Sequence, residues 1–236
     1  MSLPKIAKVT HELVIPSTGK KIKFRPFLVK EEKILILAQE SNSPAQITDA
    51  VKKVITACVQ TRGFRIEELA TFDIEYIFIN IRSRSIGEIV EISITCEDDG
   101  VTEVKTEVCL DEVEIFTDEK HSKKIKLNDE YSLLMKYPTM DSTDDIDGEE
   151  PTVEQSFELI AKCIDQIYSE DESQSGSDYK LEELVAWLGE LEPKVFVKIE
   201  EFFVTMPKLR HSIKVINPKT GVINEIVLEG LESFFA

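Results

Sequence analysis

The sequence lacks the patterns by which most catalytic and metal-binding chains can be read. No HExxH, no GxSxG and no complete phosphate-binding loop occurs in its 236 residues. The Gly19-Lys20 pair in STGKK has no upstream glycine with which to cradle a phosphate. The three histidines, His11, His121 and His211, stand far apart and in no metal-binding spacing. Four cysteines, Cys58, Cys96, Cys109 and Cys163, form no CxxC pair, whereas a structural zinc site needs four ligands, usually in such pairs. Cys58 and Cys163 fall on apolar helical stripes, which suits buried free thiols. Cys96 and Cys109 could face each other across a hairpin, though nothing demands a bridge. No cofactor is expected.

Positive charge is scarce. Lysine and arginine total 28 against 45 aspartates and glutamates, a net charge of −17. Such a field repels phosphate backbones and anionic headgroups, so neither nucleic acid nor membrane is expected as a partner. The local cluster Lys20, Lys21, Lys23 and Arg25 reads as a solvated strand face. No apolar run approaches the ~20 residues of a membrane helix. The first residues, MSLPKIAKVTHE, lack the apolar core of a signal peptide, and a reducing cytoplasm is the expected compartment.

What is present is ordinary globular patterning. Val9 to Ile15 alternates, with His11 on the apolar face; PSTG supplies a turn; Ile22 and Phe24 alternate again, giving a β-hairpin. A helix is expected from Lys30 to Ser41, deeply buried because Ile34 to Ala38 is apolar on every side. Ile47, Val51, Val54, Ile55 and Cys58 keep a helical stripe, as do Ile74, Ile77, Phe78 and Ile81. The helical block therefore runs from about 30 to 85. Period two then takes over. Val90 to Cys96 and Val104 to Leu110 flank EDDG as a second hairpin, with further strands near 113–116, 124–127 and 131–137.

Asp141 to Pro151 reads as an acidic loop that also caps a helix carrying Val153, Phe157, Ile160, Ala161 and Ile164. Ser169 to Asp178 is a low-complexity connector, expected to be mobile. Two helices follow, one over Leu181 to Leu188 and one with Pro193 near its start. A hairpin around NPKTG, with strands at 213–215 and 222–228, closes the chain. IPSTG and NPKTG are open to reading as a weak structural repeat, but two hairpins sharing turn chemistry is the favoured reading, because only the turn residues match closely.

The nearest approach to a metal motif is Thr143 to Glu154. Asp145, Asp147, Gly148 and Glu154 match positions 3, 5, 6 and 12 of a calcium loop, but Thr143 replaces the first carboxylate and Pro151 fills position 9. A calcium-binding regulatory module is therefore an alternative reading, not the leading one. Interfaces favour aromatics and arginine, so Phe24, Arg25, Phe27, Phe234 and Phe235 are the candidate partner-binding residues. The bland reading of the phenylalanines is as plugs of the core. Alternation puts Arg25 on the polar face, exposed at a corner where Pro26 ends the strand.

STGKKIKFRPFLVKEEKILILA, RSRSIGE (Arg82 to Glu88), LLMKYPTM, FFVTMPKLRH, NPKTG and EGLESFF occur in that order. This succession resembles the baseplate hub family of T-even-type contractile-tailed bacteriophages, over nearly the whole chain from Pro4 to Phe235. The family includes a hub subunit and a hub-assembly catalyst, where catalysis means promoting assembly. The resemblance implies protein–protein binding with other phage baseplate hub proteins, as a minor hub component or an assembly chaperone, and no enzymatic activity. It places the protein in the infected bacterial cytoplasm during assembly, or in the virion tail baseplate. A cell-wall hydrolase is a weaker alternative, because other hub proteins in such phages are lysozymes. The expected fold is α+β: an N-terminal hairpin and helical block (1–86), then antiparallel strands, helices and a closing hairpin (87–236). One single domain over 1–236 is the alternative, and the oligomeric state is open.

Overall fold

The computed structural model describes residues 9–41, 43–143 and 151–234. The chain starts with β1 (His11–Val14) and β2 (Lys21–Phe24), then the helices α1 (Val29–Glu40), α2 (Pro44–Cys58) and α3 (Thr71–Ile86). Strands β3 (Ile89–Thr95), β4 (Glu103–Cys109) and β5 (Glu114–Phe116) follow, then β6 (Lys124–Lys126) and β7 (Ser132–Met135). After α4 (Met140–Thr143) and α5 (Val153–Lys162) come β8 (Ile164–Tyr168), β9 (Ser173–Ser175), α6 (Leu181–Gly189) and α7 (Pro193–Thr205). The long strands β10 (Lys208–Ile216) and β11 (Ile223–Glu229) lead into a short turn of 3-10 helix, Leu231–Phe234. Every strand pair is antiparallel, so the α+β class is observed.

Contacts divide the chain into two compact units, Met1–Phe116 with Lys208–Ala236, and Thr117–Pro207. The boundary expected near residue 86 falls inside the first of these, because β10 returns to pair with β5 and carries β11 on its other edge.

In the first unit, α2 and α3 bury the stripes that their sequences spell out. Val51, Val54, Ile55 and Cys58 are buried on α2, and Ile74, Ile77, Phe78 and Ile81 on α3. Expectation fails for α1. Only Leu35 and Ala38 among its central apolar residues are buried; Ile34, Ile36 and Leu37 are 37%, 48% and 54% exposed. The main neighbour of α1 is α2, and one helix covers one stripe, leaving the rest of an all-apolar turn uncovered. Strand β3 buries Val90, Ile92 and Ile94 and exposes the alternate residues, as a one-sided hairpin requires. Its register opposes Cys109 to Ile89, while Cys96 lies beyond the other end of the ladder, so the two thiols do not face each other.

Three turns of the first unit share one construction. The glycine N–H returns to the carbonyl four residues earlier in Ile15–Gly19 (2.8 Å), Cys96–Gly100 (2.9 Å) and Asn217–Gly221 (2.8 Å). Each glycine has φ near +70°, at 66°, 67° and 74°, a region that side chains disfavour.

The second unit is a four-stranded meander, in the order β6-β7-β8-β9, with helices packed on it. Its core joins Leu133, Met135, Ile164, Ile160, Leu188, Ile199 and Phe202. The helix expected to continue through Ile164 stops at Lys162, and Ile164 opens β8 instead. The expected mobile connector contains a strand, with Gln166 paired to Ser175 and Tyr168 to Ser173. Gly176 permits this approach: a Cβ there would lie 2.4 Å from the Ile164 carbonyl oxygen. The start of the acidic loop forms α4, and α5 carries the expected cap. Thr152 Oγ1 accepts from the Gln155 N–H (3.2 Å) and Gln155 Oε1 accepts from the Thr152 N–H (2.8 Å).

Candidate protein-binding surfaces

The opening stretch FRPFLVKEEK folds as a closed corner. Strand β2 ends at Phe24, so the chain leaves the ladder and the alternation that would expose Arg25 no longer applies. Arg25 is 7% exposed. Its guanidinium donates to Glu31 Oε1 (3.0 Å), to the Pro26 carbonyl (2.9 Å) and to the Ala57 carbonyl at the C-terminal end of α2 (2.9 Å). That helix end carries the partial negative charge that a cation offsets. Glu31 is buried too, and its second oxygen accepts from the Leu28 N–H (2.8 Å), capping α1. Burial would raise the Glu31 pKa; the hydrogen bonds from Arg25, Leu28 and Lys30, with the charge of Arg25, hold it down at about 2.

The remaining candidates are in the core. Phe24 is buried and stacks on His11, with ring centres 5.5 Å apart. Phe27 is buried, its N–H donating to Ser85 Oγ (2.9 Å), and Phe234 is buried in the closing turn. None of Phe24, Arg25, Phe27 and Phe234 offers a side-chain surface to a partner. Phe235 lies outside the described residues, as do Asp145, Asp147 and Gly148 of the calcium-loop match. Among the described residues, no group of three or more histidine, cysteine or carboxylate side chains could hold a metal ion.

The sequence signatures are internal clamps as well. In RSRSIGE, Ser83 Oγ donates to Asp111 Oδ1 (2.7 Å) and Arg84 to Asp111 Oδ2 (3.0 Å), fastening α3 to the turn after β4. In NPKTG, Asn217 Nδ2 and, just beyond, Asn224 Nδ2 donate to Asp98 Oδ1 (2.9 and 3.0 Å), while Thr220 Oγ1 donates to Asp98 Oδ2. The Asn217 and Thr220 hydrogen bonds lower the Asp98 pKa. Ser17, in the first turn, gives both its N–H and its hydroxyl to the buried carboxylate of Asp73 on α3. LLMKYPTM supplies Leu133 and Met135 to the second core, and its Tyr137 hydroxyl meets His121 Nε2 (3.1 Å). Burial, then the charge of Lys123, pushes the His121 pKa down. Each clamp joins residues distant in sequence, which no local pattern foretells.

Among the described residues, apolar side chains stay uncovered on at least two surfaces. One is the exposed apolar part of α1. Another is a groove of about 640 Å³ wholly within the second unit. Apolar and aromatic side chains line much of it: Leu127, Tyr131, Ile167, Tyr179, Trp187 and Leu191. Leu127, Ile167, Trp187 and Leu191 pack against the buried core from the side that faces the groove. Glu183, Glu190 and Glu192, all exposed, also line it, and among the described residues no lysine or arginine does. Asn128 Oδ1 accepts from the backbone N–H of Tyr131 (2.7 Å), fixing the turn that carries one aromatic; the hydroxyl of Tyr179 donates to Gln174 Oε1, holding another. The Lys180 N–H donates to Glu183 Oε2 (2.9 Å), so this carboxylate also caps α6. Trp187 is the single tryptophan of the chain.

Among the described residues, no helix is long and apolar enough to cross a membrane. Comparison with curated proteins and with solved structures returns no match. A family model described as T4 bacteriophage base plate protein matches residues 7–236. With nearly every residue inside that match, the chain belongs to the T4 bacteriophage base plate protein family.

Proposed function

We propose that the protein works in the hub of the phage tail baseplate, by binding other hub proteins and without chemical turnover. The family match over residues 7–236 is the observation that carries this reading. The hub assignment within the baseplate rests on the ordered motifs from STGKKIKF to EGLESFF. The fold supports a binding role in two ways. Its sequence signatures are spent on internal clamps such as Ser83–Asp111 and Asp98–Asn217. Its open apolar residues, on α1 and in the groove of the second unit, are of the kind that a protein partner covers.

Capture from an infected-cell lysate with the full chain as bait tests this. Hub proteins are expected in the captured fraction; recovery of peripheral baseplate proteins alone would remove the hub assignment. Mass spectrometry of purified tails separates the two modes of action. Presence at hub stoichiometry marks a component of the virion, and absence marks a chaperone that acts in the host cytoplasm and leaves.

A further inference from the structure

We infer that the groove of the second unit receives a basic segment of a partner protein, anchored by an apolar side chain flanked by lysine or arginine. The inference rests on the reading that this protein acts by binding other proteins. Three observations on the groove carry it. Its lining offers Tyr131, Tyr179 and Trp187, aromatic residue types that form binding hot spots, beside aliphatic side chains. That lining also holds Glu183, Glu190 and Glu192 and, among the described residues, no lysine or arginine, a field that favours positive charge. Of the three carboxylates, Glu192 is paired with Lys194 at 2.6 Å, and Glu183 with the α6 cap, which leaves Glu190 as the one best placed to meet an incoming cation.

A peptide fits this site better than a small metabolite. Metabolite pockets converge a few buried polar groups on the ligand. Here the charged lining groups are exposed and most of the other lining residues are apolar or aromatic, an arrangement suited to a side chain inserted from an extended or helical backbone. Charge on the segment also explains how so acidic a protein selects its partner: the net charge of −17 repels acidic chains and speeds approach of basic ones.

Trp187 gives the site its own reporter. Short overlapping peptides covering the other baseplate proteins of the same phage are titrated into the full-length protein while its tryptophan emission is followed, with tryptophan-containing peptides read by polarisation of a peptide-borne dye. Peptides that shift the emission or polarisation are expected to carry an apolar residue flanked by lysine or arginine, and to bind more weakly as salt rises. The rim variant Glu190→Lys/Glu192→Gln is expected to weaken them by tenfold or more, with the melting curve of the protein unchanged. Tyr131→Ala is expected to weaken them without altering the salt dependence. The inference is overturned if no peptide binds, if the binders are neutral or acidic, or if the rim variant binds them as the parent does. Lysate capture is run in parallel on parent and rim variant. Hub capture that survives the rim change removes the groove while leaving the hub reading intact; loss of hub capture by the parent removes the hub reading itself.

Discussion

Arg25 and Glu31 hold each other in a site that water barely reaches, with side chains 8% and 3% exposed. A buried pair contributes little net stability, but removing one partner leaves the other charge without compensation. Arg25→Ala is therefore expected to lower unfolding stability by about 3–5 kcal/mol in urea titrations. Arg25→Met/Glu31→Leu is expected to recover most of that; a double variant as unstable as the single one would show that packing, not stranded charge, is at issue. The pair also sets a pH dependence. The folded pKa of Glu31 lies at about 2, below its ordinary 4.5, so its contribution is complete above 4.5 and is lost as pH falls from 4.5 towards 2. The double variant should lack this part of the acid sensitivity. Little of this was legible in FRPFLVKEEK. Alternation assumes that the strand continues, and the partners of Arg25, at Glu31 and Ala57, depend on how two helices meet.

Among the elements, legibility followed the number of neighbours. Helices α2, α3, α6 and α7 lie against enough structure to bury a full stripe, and their periodicity gave them away. In α1 composition misleads: an apolar turn implies burial, yet its main cover is α2. Strands β8 and β9 are hidden in the sequence for another reason: Ile164 keeps helical phase with Ile160 and Ala161, and the SQS of β9 has no apolar alternation. Their pairing depends on the bare backbone of Gly176. Gly176→Ala would bring a methyl group to 2.4 Å from the Ile164 carbonyl oxygen, backbone against backbone. The expected cost is about 1–3 kcal/mol, as for other overpacked sites. Hydrogen exchange should show lost protection at Tyr168 and Ser175 while α2 and α3 stay unchanged; unchanged protection throughout would mean that the strands yield without cost. The repeated turn chemistry of IPSTG and NPKTG was legible, and the structure adds Cys96–Gly100 as a third case with the same backbone return.

At the scale of the whole molecule, the sequence showed the α+β class and the order of most elements but not the division into units. Strand-forming segments at 113–116 and 208–216 look unrelated along the chain, yet Phe116 is the partner of Lys208 and Ile115 of Leu209. The second unit, Thr117–Pro207, is thus inserted between two adjacent strands. Joining β5 to β10 across an unstructured insert of this length would cost about 4 kcal/mol of chain entropy by the (3/2)RT ln n estimate. An insert that has already folded, with its ends drawn together, lowers that cost. Pulsed hydrogen-exchange labelling during refolding should accordingly show protection in the β7–β8 ladder before the β5–β10 ladder. The reverse order would mean that the insert closes around a finished sheet.

The same connectivity has a meaning for synthesis. A ribosome makes residues 117–207 before it makes β10, so a nascent chain can carry a complete second unit while the sheet of the first still lacks its central strand. The unit whose chain emerges first is the one finished last.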